Sequence, residues 1–109
     1  MSEPPKAMSD ELLARVAALF RAAGDIGRLR LLSLLVAREA TVTELATLSA
    51  LPMSTVSQQL KLLRSERLVA RRRAGKRLFY SAQSTAHVLL ELATTIEARE
   101  RTRVTARPR

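Results

Sequence analysis

The stretch Thr43-Glu44-Leu45-Ala46-Thr47-Leu48-Ser49-Ala50-Leu51-Pro52-Met53-Ser54-Thr55-Val56-Ser57-Gln58-Gln59-Leu60-Lys61-Leu62-Leu63 reads as two short helices joined by a tight bend. In the second helix, taken as Met53–Ser65, Val56, Leu60 and Leu63 recur at i, i+4 and i+7 and form an inward stripe. Ser54, Thr55, Ser57, Gln58 and Lys61 lie largely off that stripe. Next comes Arg71-Arg72-Arg73-Ala74-Gly75-Lys76-Arg77, a basic turn between the strand-like runs Leu68-Val69-Ala70 and Leu78-Phe79-Tyr80-Ser81, with Gly75 suited to the hairpin. A hydroxyl- and amide-rich helix followed by a cationic hairpin suits entry into a DNA major groove with a grip on the adjacent phosphates.

Charge placement supports that direction. The net charge is +9, yet residues 1–60 hold six basic and six acidic side chains. Residues 61–109 hold thirteen basic and four acidic ones and so carry the whole excess. Segregation of this kind points to a polyanion-facing surface. With 109 residues the chain supports one domain of modest core. Aromatics are limited to Phe20, Phe79 and Tyr80, so the core is aliphatic and a mainly α fold is expected. The absence of cysteine excludes disulfides, thiolate metal sites and thiol redox sensing. No apolar run approaches the roughly 20 residues of a membrane span, and Met1–Lys6 lacks the apolar core of a secretory signal. A cytoplasmic location is the expectation.

Working outward, residues 1–8, with Pro4 and Pro5, read as a flexible arm. Ser9 can cap a helix carrying Leu12, Val16, Leu19, Phe20 and Ala23, which Gly24 ends. Asp25 can cap the next, apolar around much of its circumference through Leu29, Leu31, Leu32, Leu35 and Val36, and hence central. Thr41-Val42-Thr43 reads as a β-branched connector, Thr43 as the cap of a helix Glu44–Ser49, and Pro52 as part of the following helix's first turn. Ser84 or Thr85 can start a last helix to about Arg99, and residues 101–109 read as a basic disordered tail, leaving 9–100 as the domain.

The first and last helices carry more apolar surface than a small core can cover. The expected solution is a two-fold dimer through Leu12, Val16, Leu19, Val88, Leu89, Leu92 and Ile96.

The motif order Gly27–Leu35, Thr43–Ala46, Ser54–Leu63, Leu68-Val69 and Gly75–Ser81 resembles the ArsR/SmtB repressors, over roughly residues 12–98. The resemblance implies a winged helix-turn-helix of about five helices and two strands. It implies a homodimer that represses an operon until an inducer loosens it from its operator. It also exposes departures. Thr41-Val42-Thr43 stands where arsenic, lead and cadmium sensors of that family carry Cys-Val-Cys, and hydroxyls are poor ligands for soft ions. Aligning His87 with the zinc-type Asp-x-His motif puts Thr85, Ala98 and Arg101 at the other ligand positions. His87 and Glu91, one turn apart, remain the only candidates for a weak nickel or zinc contact, and no cofactor is expected.

Met53, Ser54, Thr55, Ser57 and Gln58 are the candidate base readers: glutamine can bond adenine bidentately, and a methionine can touch a thymine methyl. Lys61, Arg64, Arg71, Arg72, Arg73, Lys76 and Arg77 are the candidate backbone and wing contacts, with Arg71 and Arg73 on one strand face and Arg72 on the other. The partners expected are an operator duplex and a second copy of the chain. Two further readings stand beside this one: a DNA-binding subunit governed by a separate sensor or corepressor protein, and an architectural protein that coats duplexes without reading them. One histidine, no cysteine, no Gly-rich phosphate loop and no paired carboxylates argue against an enzyme.

Overall fold

The computed structural model describes residues 7–106. In these the order is α1 (Asp10–Ala23), α2 (Ile26–Ala37), α3 (Val42–Ser49), α4 (Met53–Ser65), β1 (Val69–Ala74), β2 (Arg77–Ala82) and α5 (Ser84–Ala106). The strands form an antiparallel hairpin, so the architecture is a winged helix-turn-helix, as expected.

Helix starts and stops have local causes. The Ser9 hydroxyl accepts the Leu12 N–H at 3.2 Å, with Asp10 and Glu11 in the first turn favouring the helix dipole. Gly24 closes α1 by donating to the Phe20 carbonyl, and a Cβ there would stand 2.8 Å from that oxygen. Asp25 then caps α2 through the Arg28 N–H at 3.0 Å. Leu31, Leu32 and Leu35 of α2 are buried against Leu45, Val56, Leu60, Leu63, Leu68 and Tyr80, and α2 touches every other helix and β2. Each fully buried leucine contributes about 1.5–3 kcal/mol, which makes α2 the mast of the domain.

Several boundaries differ from the sequence expectation. α3 begins at Val42, capped by Thr41 and not Thr43. Thr41 and Glu44 form a reciprocal capping box: the Thr41 Oγ1 accepts the Glu44 N–H at 3.2 Å, and the Glu44 carboxylate accepts the Thr41 N–H at 2.9 Å. Two satisfied donors outweigh the β-branched character of Thr41-Val42-Thr43. Pro52 is the N-cap of α4, one residue outside the helix, because its extended backbone lies outside the helical region.

The wing strands are longer than expected. Arg71, Arg72 and Arg73 belong to β1, and only Gly75-Lys76 forms the turn. Positive φ at Gly75 alone (64°) fits a type II′ hairpin, which matches the strands' twist. The arginines pair across the ladder with Tyr80, Phe79 and Leu78, so large cross-strand partners compensate for their modest strand preference.

Finally, α5 continues to Ala106, so 101–106 are helical and not a disordered tail. The i,i+4 pair Glu97–Arg101 at 3.5 Å and the i,i+3 pair Glu100–Arg103 at 3.2 Å support that extension. The expectations for residues 1–6 and 107–109 lie outside the described residues. Among the described residues no helix is long and apolar enough to cross a membrane.

Candidate nucleic-acid interface

The bend between α3 and α4 is set by Ala50, in the left-handed region at φ 59°, and by buried Ser49, whose hydroxyl accepts the Leu51 N–H at 3.3 Å. It presents α4 with Val56, Leu60 and Leu63 fully buried. The opposite ridge carries Ser54, Gln58, Lys61 and Ser65, all exposed. Met53 and Ser57 are exposed on the flank nearer the wing, and Thr55 is half-buried on the other flank. The five candidate base readers thus divide: Ser54, Ser57 and Gln58 stand clear of the protein with Met53 beside them, and Thr55 is set back.

One determinant escaped the sequence reading. Arg28 of α2 donates to the Ala22 and Arg21 carbonyls at the end of α1 and, at 3.1 Å, to the Gln59 Oε1 on α4. A single guanidinium therefore ties α4 to α1 and α2, using the rigid fork that suits arginine to such bridging. It also gives Gln58 and Gln59 different fates: Gln59 is held inside, and Gln58 points out. Leu62, half exposed beside Gln58 and Lys61, is a second surface residue the stripe argument passed over.

The wing divides its cations by face. Arg71 and Arg73 pair with Tyr80 and Leu78, whereas Arg72 pairs with Phe79. On the first face, Ser57, Lys61, Arg64, Arg71, Leu78 and Tyr80 line a groove of about 750 Å³ between α4 and the hairpin. Among the described residues Lys61, Arg64, Arg71, Arg73 and Lys76 make no ion pair, so the groove and wing tip keep an uncompensated positive field. Arg72 differs. Its guanidinium forks onto the Glu39 carboxylate at 2.9 and 2.6 Å and lies over the Phe79 ring, 4.9 Å from its centroid. Arg77 approaches the same ring at 5.4 Å.

The wing is joined to the body by paired backbone bonds between Ala40 and Tyr80, at 3.0 and 2.7 Å. The two carboxylates beside it are held below the ordinary glutamate range. For Glu39 the main cause is the hydrogen bond from Arg72. For Glu44 it is the Thr41 backbone N–H, with the Thr41 side chain, Arg38 and Arg77 acting in the same sense.

His87 and Glu91 are exposed on α5, and no group of three or more His, Cys, Asp or Glu gathers among the described residues. On α5, Val88, Leu92 and Ile96 are 65, 57 and 52% exposed and form one stripe. Leu12, Leu13 and Phe20 are exposed on α1, Val16 is half-buried, and Leu19 and Leu89 pack partly against their own core.

The arrangement has known counterparts. The model of the bacterial regulatory proteins of the arsR family matches residues 25–71, from the cap of α2 into β1. Over 77 residues the chain is 43% identical to a transcriptional repressor SmtB homolog of Synechocystis, covering 71% of this chain and 58% of that protein. The chain spans only 58 to 62% of the length of the curated relatives it matches. The crystal structure of Mycobacterium tuberculosis Rv0081 superposes with a TM-score of 0.80 at 36% identity, covering 90% of this chain and 100% of that one. The homodimeric winged helix-turn-helix DNA-binding domain of a possible ArsR-family transcriptional regulator from Mycobacterium bovis superposes at 0.76 with 31% identity, covering 86 and 91%. Sequence and fold agree over nearly the whole described chain, and the protein belongs to the arsR family of bacterial regulatory proteins.

Proposed function

We propose that the protein is a dimeric, sequence-specific DNA-binding repressor that places α4 in the major groove and the wing on the flanking backbone. The observation that carries this reading is the exposed ridge of α4, continuous with a groove whose cations make no ion pair among the described residues. Hydrogen-bonding groups without charge read base edges, and unpaired cations beside them hold phosphates. Ser54, Ser57 and Gln58, with Met53, are proposed for the bases. Lys61, Arg64, Arg71, Arg73 and Lys76 are proposed for the backbone. The exposed stripes of α1 and α5 are proposed to pair across a two-fold axis, and the Mycobacterium bovis domain, which is homodimeric, supports that arrangement. A cytoplasmic location is part of the same proposal, since an operator duplex is its partner.

The switch proposed is not a thiol-held metal, since the chain has no cysteine. It is a small effector or a separate sensor protein acting on the same dimer. The function is tested by selecting duplexes from a random pool and competing them against random duplex. A preference of about a thousandfold or more is expected of a regulator, and near-equal binding would identify an architectural coat instead.

A further inference from the structure

Of the five wing cations Arg71, Arg72, Arg73, Lys76 and Arg77, Arg72 is the one that forms an ion pair among the described residues. Its partner is presented, not recruited. Glu39 immediately precedes Ala40, whose backbone is fixed to Tyr80 by two hydrogen bonds. From there the carboxylate reaches across β2, beside Phe79, to a guanidinium on β1. Both oxygens are used, so the fork is filled in the geometry that a phosphate would use. The pair is open to water, with side-chain exposures of 57% for Arg72 and 35% for Glu39. A surface ion pair of this kind adds little to folding. The hairpin is in any case anchored by the Ala40–Tyr80 bridge and by buried Leu68, Val69 and Tyr80. The hydrogen bond from Arg72 also holds the Glu39 carboxyl below its usual range, which favours the ionised form that fills the fork.

We propose that Glu39 is a specificity-determining residue: its carboxylate occupies the Arg72 guanidinium that a DNA phosphate would otherwise take, and so limits sequence-independent binding by the wing. The inference rests on the DNA-binding reading above. Its physical content is a competition between two anions for one fork. A phosphate on random DNA must displace a carboxylate already in place, so the contact contributes little where base recognition does not add to it. Removing the carboxylate's charge frees one cation for any duplex, which raises random binding more than operator binding in proportion.

The test uses the full chain as wild type, Glu39→Gln, Arg72→Gln and the double variant. Each is titrated across salt against a random-sequence duplex and a duplex selected by the wild type. Glu39→Gln is expected to bind random duplex roughly threefold tighter at low salt, with a log–log salt slope steeper by about 0.9 per protomer. The selected-to-random ratio falls accordingly. Arg72→Gln, which leaves the Glu39 carboxylate unpaired, is expected to bind random duplex no tighter than wild type, with its slope near wild type. The double variant is expected to lose the gain of Glu39→Gln and return near wild type. Unchanged random binding and slope in Glu39→Gln would overturn the proposal. So would a slope flattened by Arg72→Gln alone, which would mean that Arg72 already meets phosphate. A Glu39→Gln protein that lost selected-duplex binding and random binding together would make Glu39 an anchor, and would also overturn it. If the wild type bound no duplex, the DNA-binding reading would fall with it; if only the variants failed to behave as stated, this inference would fall alone.

Discussion

Gln58 and Gln59 are neighbours of identical chemistry with opposite surroundings. Gln58 stands on the open ridge of α4, and Gln59 accepts the Arg28 guanidinium. Gln58→Ala should therefore remove the base-edge contact proposed for it, worth about 1–3 kcal/mol of discrimination, and leave folding intact. Competition between selected and random duplexes would show the selected one losing roughly tenfold to hundredfold and the random one changing little. Arg71→Ala belongs to the other class. Arg71 lines the groove beside Lys61 and Arg64 and makes no ion pair among the described residues, so its loss should weaken selected and random duplexes alike and flatten the salt slope by about 0.9 per protomer. The outward position of Gln58 was legible from its spacing to Val56, Leu60 and Leu63. The inward tie of Gln59 was not, because it depends on Arg28, 31 positions away in sequence and brought close only by packing. The Glu39–Arg72 fork, 33 positions apart, was hidden for the same reason.

At the scale of elements, α3 is held at its start by one reciprocal device. Thr41→Ala removes the hydroxyl of a nearly buried cap and should lower stability by about 1 kcal/mol, measured by chemical denaturation. The other half of the device gives a pH signature. Glu44 is held below its ordinary value near 4.5 in the folded protein, so its stabilising contribution is complete above that value. It is lost as pH falls through the lower, folded-state value. Wild type should therefore exceed Glu44→Gln in stability from neutral pH down to about the ordinary value, with the gap closing below it. A gap that widened on acidification would contradict the assignment. The capping box was present in the sequence as Thr41-Val42-Thr43-Glu44, a threonine three residues ahead of a glutamate. The β-branched run masked it. Likewise the arginines of β1 read as a turn because residue type alone does not reveal their partners Leu78, Phe79 and Tyr80 across the ladder. α5 ran past its expected end because Glu97–Arg101 and Glu100–Arg103 act as i,i+4 and i,i+3 pairs inside a stretch read for its net charge.

The whole molecule is more extended than a compact chain of its length. Its radius of gyration is 17.3 Å, with extents of 58 × 42 × 20 Å, against about 13 Å expected for a compact chain of this length. The excess reflects long terminal helices, and the 23-residue α5 leaves Val88, Leu92 and Ile96 facing solvent in the single chain. Leu92→Glu places a charge in the middle of that stripe. The neighbouring core-facing positions Ala86 and Leu90 are untouched, so the single chain should keep its helices and its cooperative melting. Burying the new carboxylate against a second apolar stripe would cost several kcal/mol, more than a helix-pair interface of this size can spare. Sedimentation should accordingly report a monomer for Leu92→Glu and a dimer for wild type. DNA binding then separates the roles of fold and assembly. Each monomer keeps an intact α4 and wing, but the link that makes the second half-site an intramolecular event is gone. Affinity for a selected two-half-site duplex should fall by about 10²–10⁴, and the salt slope should halve as one wing's phosphates drop out. If Leu92→Glu stayed dimeric with unchanged operator affinity, the exposed stripe of α5 would have no part in assembly.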